Sequence, residues 1–97
     1  MNQDEKQTRK MAQELRKTLL KMKRAQLEIQ HIQNKIVQIA GRTDIVLPEH
    51  LHDDIKNNDE ALARTQRLLL VCGRLIKNPN NKNASSELEK LMEEIPS

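Results

Sequence analysis

Apolar side chains recur every seven residues along residues 1–40. Leu15, Met22, Ile29 and Ile36 form one row, and Met11, Thr18, Ala25, Ile32 and Ile39 form a second, three positions on. Glu14, Lys21, Glu28 and Lys35 flank these rows with alternating charge. Neither Gly nor Pro interrupts the segment, so the spacing predicts a coiled-coil helix over residues 3–40. At 1.5 Å per residue it would be about 57 Å long and would need a partner along its apolar side. Gly41 follows the last apolar residue and is expected at the left-handed position beyond the helix end.

Residues 41–47 read as a connection and residues 48–77 as a second helix. Pro48 suits a first helical turn, where a missing N–H costs nothing. Glu49, Asp53 and Asp54 put negative charge near that helix N-terminus. Leu51, Ile55, Asn58, Leu62, Thr65, Leu69, Cys72 and Ile76 alternate spacings of four and three, a second heptad seam with two polar members. Leu68 and Leu75 widen it. The run Leu68-Leu69-Leu70-Val71-Cys72 is apolar almost all round, as in a helix covered from more than one direction. Residues 78–85, Asn-rich and containing Pro79, form a polar break. Ser86 with Glu89 three residues later reads as a capping box that opens a short helix over 86–95. Its apolar face would be Leu88, Leu91, Met92 and Ile95, with Pro96 as the stop.

The first two helices are expected as antiparallel neighbours because their connection is short. Folding the chain near residue 44 sets Ile36 beside Leu51, Ile29 beside Asn58 and Leu62, and Leu19 beside Leu69. The fold class is therefore all-α: an antiparallel helical hairpin, or coiled coil, with a short C-terminal third helix in one domain. Leu20, Leu27, Leu70 and Val71 fall outside the hairpin seam. They are expected against another chain, or in part against the third helix.

Composition narrows the functional classes. Of 97 residues none is Phe, Trp or Tyr, and 36% are hydrophobic. Such a chain lacks the aromatic side chains that commonly line ligand pockets, so no small molecule and no cofactor is expected. No apolar run is long enough to span a bilayer. The polar stretch Met1 to Lys10 lacks a signal-peptide pattern. Cys72 is alone, so no internal disulfide is expected and the compartment should be reducing, nucleus or cytoplasm.

Candidate chemistry is sparse. His50, His52, Asp53 and Asp54 are the densest set of metal-ligand types, but positions i and i+2 of a helix point about 200° apart, so the two imidazoles cannot share an ion. They and His31 read as solvated residues. Cys72 sits in the heptad seam and reads as a packing residue. Asn83-Ala84-Ser85 matches a glycosylation sequon without consequence in a reducing compartment. No phosphate loop, nucleophile elbow or paired carboxylate is visible, and the pattern argues against an enzyme.

Charge is spread unevenly around the net +3. Folding the hairpin gathers Arg16, Lys17, Lys21, Lys23 and Arg24 in the same half as Arg64, Arg67, Arg74 and Lys77, and leaves the connecting end acidic. Three readings stay open: a solvated face, a contact for an acidic protein, or a phosphate-backbone contact. The absence of aromatics weighs against recognition of single strands.

The long helix ending in Arg74-Leu75-Ile76, the polar break, and the short helix with Leu88 and Leu91-Met92 resemble the C-terminal region of the centromere protein H family, coiled-coil subunits of the inner kinetochore. The stretch Leu19-Leu20-Lys21-Met22-Lys23-Arg24 is similar in character to that family's basic coiled coil. The resemblance covers roughly residues 55–95. It implies a heteromeric partner subunit, a nuclear location at the centromere and no catalytic residue.

The function expected is that of a non-enzymatic, scaffold-like coiled-coil subunit of a multiprotein assembly. Its partner-binding residues would be Leu15, Leu19, Leu20, Met22, Leu27, Ile29, Ile36, Leu62, Leu68, Leu69, Leu70, Val71, Leu75 and Ile76. Another coiled-coil protein is the expected partner. The alternatives are a basic helical module on nucleic acid and a self-assembling homo-oligomer.

Overall fold

The computed structural model describes residues 3–94. It consists of three α-helices in the order α1 Gln3–Thr43, α2 Glu49–Lys77 and α3 Lys82–Glu93. The molecule is a rod of 62 × 20 × 18 Å. The Ile95 and Pro96 assignments for the third helix lie outside the described residues.

Helix α1 continues through Gly41, so that glycine is a helical residue and not the terminator. Thr43 donates its hydroxyl to the Ile39 carbonyl at 2.8 Å, holding the final turn together. Asp44 takes the left-handed position instead, at φ 57. An acidic or amide side chain tolerates that conformation better than most. Pro48 precedes α2 as its N-cap residue with extended ψ of 141°, one place earlier than the first-turn position expected. Its carbonyl accepts from Leu51 N at 3.1 Å.

At the far end, Asn78 N donates to the Arg74 carbonyl at 2.8 Å and closes α2. Asn80 N donates to the Asn78 side chain at 3.1 Å, an Asx turn that reverses the chain around Pro79. Asn81 then caps α3, its Oδ1 accepting from Ala84 N at 3.1 Å. The third helix therefore starts four residues before the expected Ser86 cap, and Ser86 and Glu89 lie within its body. Asn caps as well as Ser, and nothing between 82 and 86 breaks a helix, so the earlier cap prevails. Asn81→Ala should cost about 1 kcal/mol and fray α3 first, visible as faster amide exchange over residues 82–86.

The hairpin is antiparallel, in the register expected from a fold near residue 44. Arg9 Nε donates to the Ile76 carbonyl at 2.8 Å, and Asn58 Nδ2 donates to the Gln26 carbonyl at 3.0 Å. The rotation of α1 about its own axis is different. The buried row is Ala12, Leu19, Gln26, Gln33 and Ala40, itself a seven-residue repeat lying one position past the row of Thr18, Ala25, Ile32 and Ile39. Asn58 meets the Gln26 backbone, and Ile29 is left 45% exposed.

The core lies at one end of the rod, where α3 packs on α2. Ala12, Leu19, Leu68, Val71, Cys72, Leu75, Ala84 and Leu91 are buried together, with Leu15, Leu69, Ile76 and Leu88 packed around them. Val71 was expected outside the seam; it is buried because α3 covers that side of α2. Towards the connection there is no third helix, and the hairpin is two helices thick.

Candidate partner-binding surface

Apart from Leu15, which packs on the core, the apolar rows of α1 that would have closed the hairpin are largely exposed. Ile32 is 50% exposed, Ile36 40% and Ile39 57%. Met11, Met22 and Ile29 are exposed on the same side of the helix. These residues form one stripe along α1, running from the α3 end to the connection. At the α3 end it borders a shallow apolar groove between α1 and α3, lined by Thr8, Met11, Ala12, Leu15, Leu75, Ser85, Leu88 and Glu89. Scattered exposed apolar residues are ordinary. A contiguous row of isoleucines at heptad spacing is not, and such rows mark interaction surfaces.

The inward row has the opposite character. Gln26 and Gln33 are buried, and the side-chain carbonyl oxygen of each has no hydrogen-bond partner. A buried acceptor left unpaired costs about 1–3 kcal/mol. Glutamine inside and isoleucine outside is a poor arrangement for a free chain. It becomes reasonable when the isoleucines are buried by something else. Gln33→Leu should therefore raise the midpoint of urea unfolding, by the equivalent of about 1 kcal/mol.

The expected partner-binding residues divide into three groups. Met22, Leu27, Ile29, Ile36 and Leu70 are exposed and free to meet another chain. Leu15, Leu20, Leu69 and Ile76 are half-buried. Leu19, Leu62, Leu68, Val71 and Leu75 are buried within the chain, so their packing is internal. Ile32 and Ile39 complete the exposed stripe and belong with the first group; their heptad spacing was the signal for them.

The basic residues do not gather into one face. Arg16 and Lys17 line a depression with Gln13, Gly73 and Ile76. Arg64 and Arg67 line another with Glu60, Ala63 and Glu94. Arg74 is paired with Glu87 at 2.8 Å. That bridge is about half exposed on both sides, and such pairs are worth roughly 0–1 kcal/mol. Lys21, Arg24 and Lys77 are exposed and Lys23 is half-buried.

His31, His50, His52, Asp53 and Asp54 are all exposed. Among the described residues no group of three His, Cys, Asp or Glu side chains is placed to hold a metal ion. No helix among them is long and apolar enough to cross a membrane. Cys72 is fully buried. Burial pushes its thiol above the ordinary value, while the charge of Arg16 pulls it back in part. A group raised on folding contributes stability below its unfolded pKa and loses that contribution as pH rises through the folded value. Stability should thus decline above the ordinary thiol range. At pH 8 Cys72 should react with a thiol reagent far more slowly in the native chain than in urea.

Comparison with protein-family models, with curated proteins and with solved structures gives no match.

Proposed function

We propose that the protein is a non-enzymatic helical subunit of a multiprotein assembly, and that it binds a partner helix along the exposed stripe of α1. The observation that supports this reading is the inverted pattern of α1: isoleucines at heptad spacing on the outside, glutamines on the inside. Burying the stripe would contribute roughly 25 cal/mol for each Å2 of apolar surface covered, before the costs of association. Exposed ion pairs offer much less. Within this proposal the assembly is the inner kinetochore and the compartment the nucleus, as the likeness of residues 55–95 to centromere protein H implies.

Stoichiometric co-purification tests the proposal. A tagged chain should recover one polypeptide in equal amount. Ile32→Asp with Ile36→Asp should abolish that recovery, and Arg67→Glu, away from the stripe, should leave it intact. Recovery of the same polypeptide by the stripe variant would refute the assignment. A fluorescent tag checks the setting, which requires foci at centromeres.

A further inference from the structure

The hairpin has a second face, on the side away from α3. Two contacts between α1 and α2 mark its ends: the Arg9 bond to the Ile76 carbonyl, and Gln30 Nε2 donating to Asp59 Oδ1 at 3.2 Å. Between them Gln13, Arg16 and Lys17 of α1 and Gly73 and Ile76 of α2 line a depression. At helical spacing, Leu20, Lys23 and Leu27 follow on the side of Arg16, and Leu70 lies one turn before Gly73. Leu70 is 67% exposed and Leu27 41%, while Leu20 and Ile76 are half-buried. The groove that α3 borders is on the other side of α1, at Met11 and Leu15, so α3 leaves this face open.

The charge here has one sign. Between residues 9 and 30 the acidic side chains are Glu14 and Glu28, which belong to the row flanking the α1 stripe. Residues 61–77 contain none. The face is an apolar strip edged by Arg16, Lys17 and Lys23, with no acid of its own short of Asp59. Gly73 has no role within the chain. Glycine is the poorest residue in a helix after proline, and a Cβ at 73 would have nothing within 4 Å. What a bare backbone there permits is close approach from outside.

We propose that this face is a second docking site, separate from the α1 stripe, for an acidic amphipathic helix of another protein. Its apolar side chains lie along Leu20, Leu27 and Leu70, it comes closest to α2 at Gly73, and Glu or Asp at its edges meets Arg16, Lys17 and Lys23. An apolar strip supplies affinity and the basic edge supplies orientation and selectivity. A phosphate backbone would use the cations and leave the leucines uncovered. The rival within this chain is the acidic connection of a second copy, where Val46 is 91% exposed. A rod's tip on the flank of another rod is a contact that does not close, and it would run on into open filaments.

The probe is a peptide of about 21 residues, three heptads, with Leu at a and d and Glu at e and g, whose like charges keep it from pairing with itself. The control peptide has Lys at the same e and g positions. Both are titrated by fluorescence anisotropy against the full chain at low salt. The Glu peptide should bind about ten-fold more tightly, as several weak ion pairs against several repulsions imply, and its advantage should shrink at high salt. Arg16→Glu with Lys23→Glu should reverse the preference. Gly73→Leu should raise the urea midpoint of the free chain, because leucine is the better helix residue and the space is open, and yet weaken the Glu peptide at least ten-fold. Ile32→Asp with Ile36→Asp should leave Glu-peptide binding unchanged.

Equal binding of the two peptides, a preference for Lys, or no binding overturns the proposal. So does Glu-peptide binding that Ile32→Asp with Ile36→Asp removes and Gly73→Leu does not, which puts the peptide on the stripe and keeps the partner-helix reading. Tighter binding of a short DNA duplex than of the Glu peptide would give the face to a phosphate backbone. Self-association in sedimentation that Gly73→Leu abolishes would give it to a second copy. Either result also overturns the proposal.

Discussion

Ile32→Asp combined with Ile36→Asp should leave the free chain folded and remove the proposed partner binding. Both side chains are about half exposed, so replacing them opens no cavity. Helix propensity makes Asp poorer than Ile by only a few tenths of a kcal/mol per site. In the bound state each aspartate would enter a dry seam unpaired, which costs several kcal/mol. The affinity loss should exceed about 1000-fold, from roughly 4 kcal/mol or more for the pair. Circular dichroism and denaturant unfolding should overlay the wild type within about 1 kcal/mol. Unfolding of the variant would mean that the stripe is internal after all.

Leu68→Ala has the second large effect, and it falls on folding alone. Leu68 is 1% exposed, inside the cluster shared by α1, α2 and α3. Truncation leaves a cavity and should cost about 2–5 kcal/mol. For a chain of this size that is a large part of the total stability, on the order of 5–15 kcal/mol. Leu70, two residues on, is 67% exposed, and Leu70→Ala should stay within about 0.5 kcal/mol of wild type. Urea midpoints of the two variants separate them directly.

That pair shows where sequence reading succeeded and where it stopped. The helices, their antiparallel order and the register were legible. Gly and Pro are absent before residue 41, the connection is short, and each helix repeats its apolar residues. The rotation of α1 was not legible. A heptad row announces that a stripe will be buried, without naming what buries it. Next to the isoleucine row runs the weaker repeat Ala12, Leu19, Gln26, Gln33 and Ala40, whose small alanines permit close approach of α2. Only the fold shows that this second row closes the hairpin.

The run from Leu68 to Cys72 signalled cover from several sides, but it could not separate Val71, buried where α3 packs on α2, from Leu70, left outside. The start of α3 was misplaced for a local reason: Asn81 and Ser86 are both competent caps, and the Asx turn at Asn78 brings the chain round early enough for the first.

The side of α1 that faces water is open to direct measurement. Single cysteines are placed at Gln26, Ile32, Gln33 and Ile36 in a Cys72→Ala background, and alkylation rates are measured on the dilute free chain at neutral pH. The structure requires fast reaction at 32 and 36 and slow reaction at 26 and 33. Protection at 32 and 36 together with rapid labelling at 26 and 33 would turn the helix around, hide the isoleucines inside the hairpin and contradict the account.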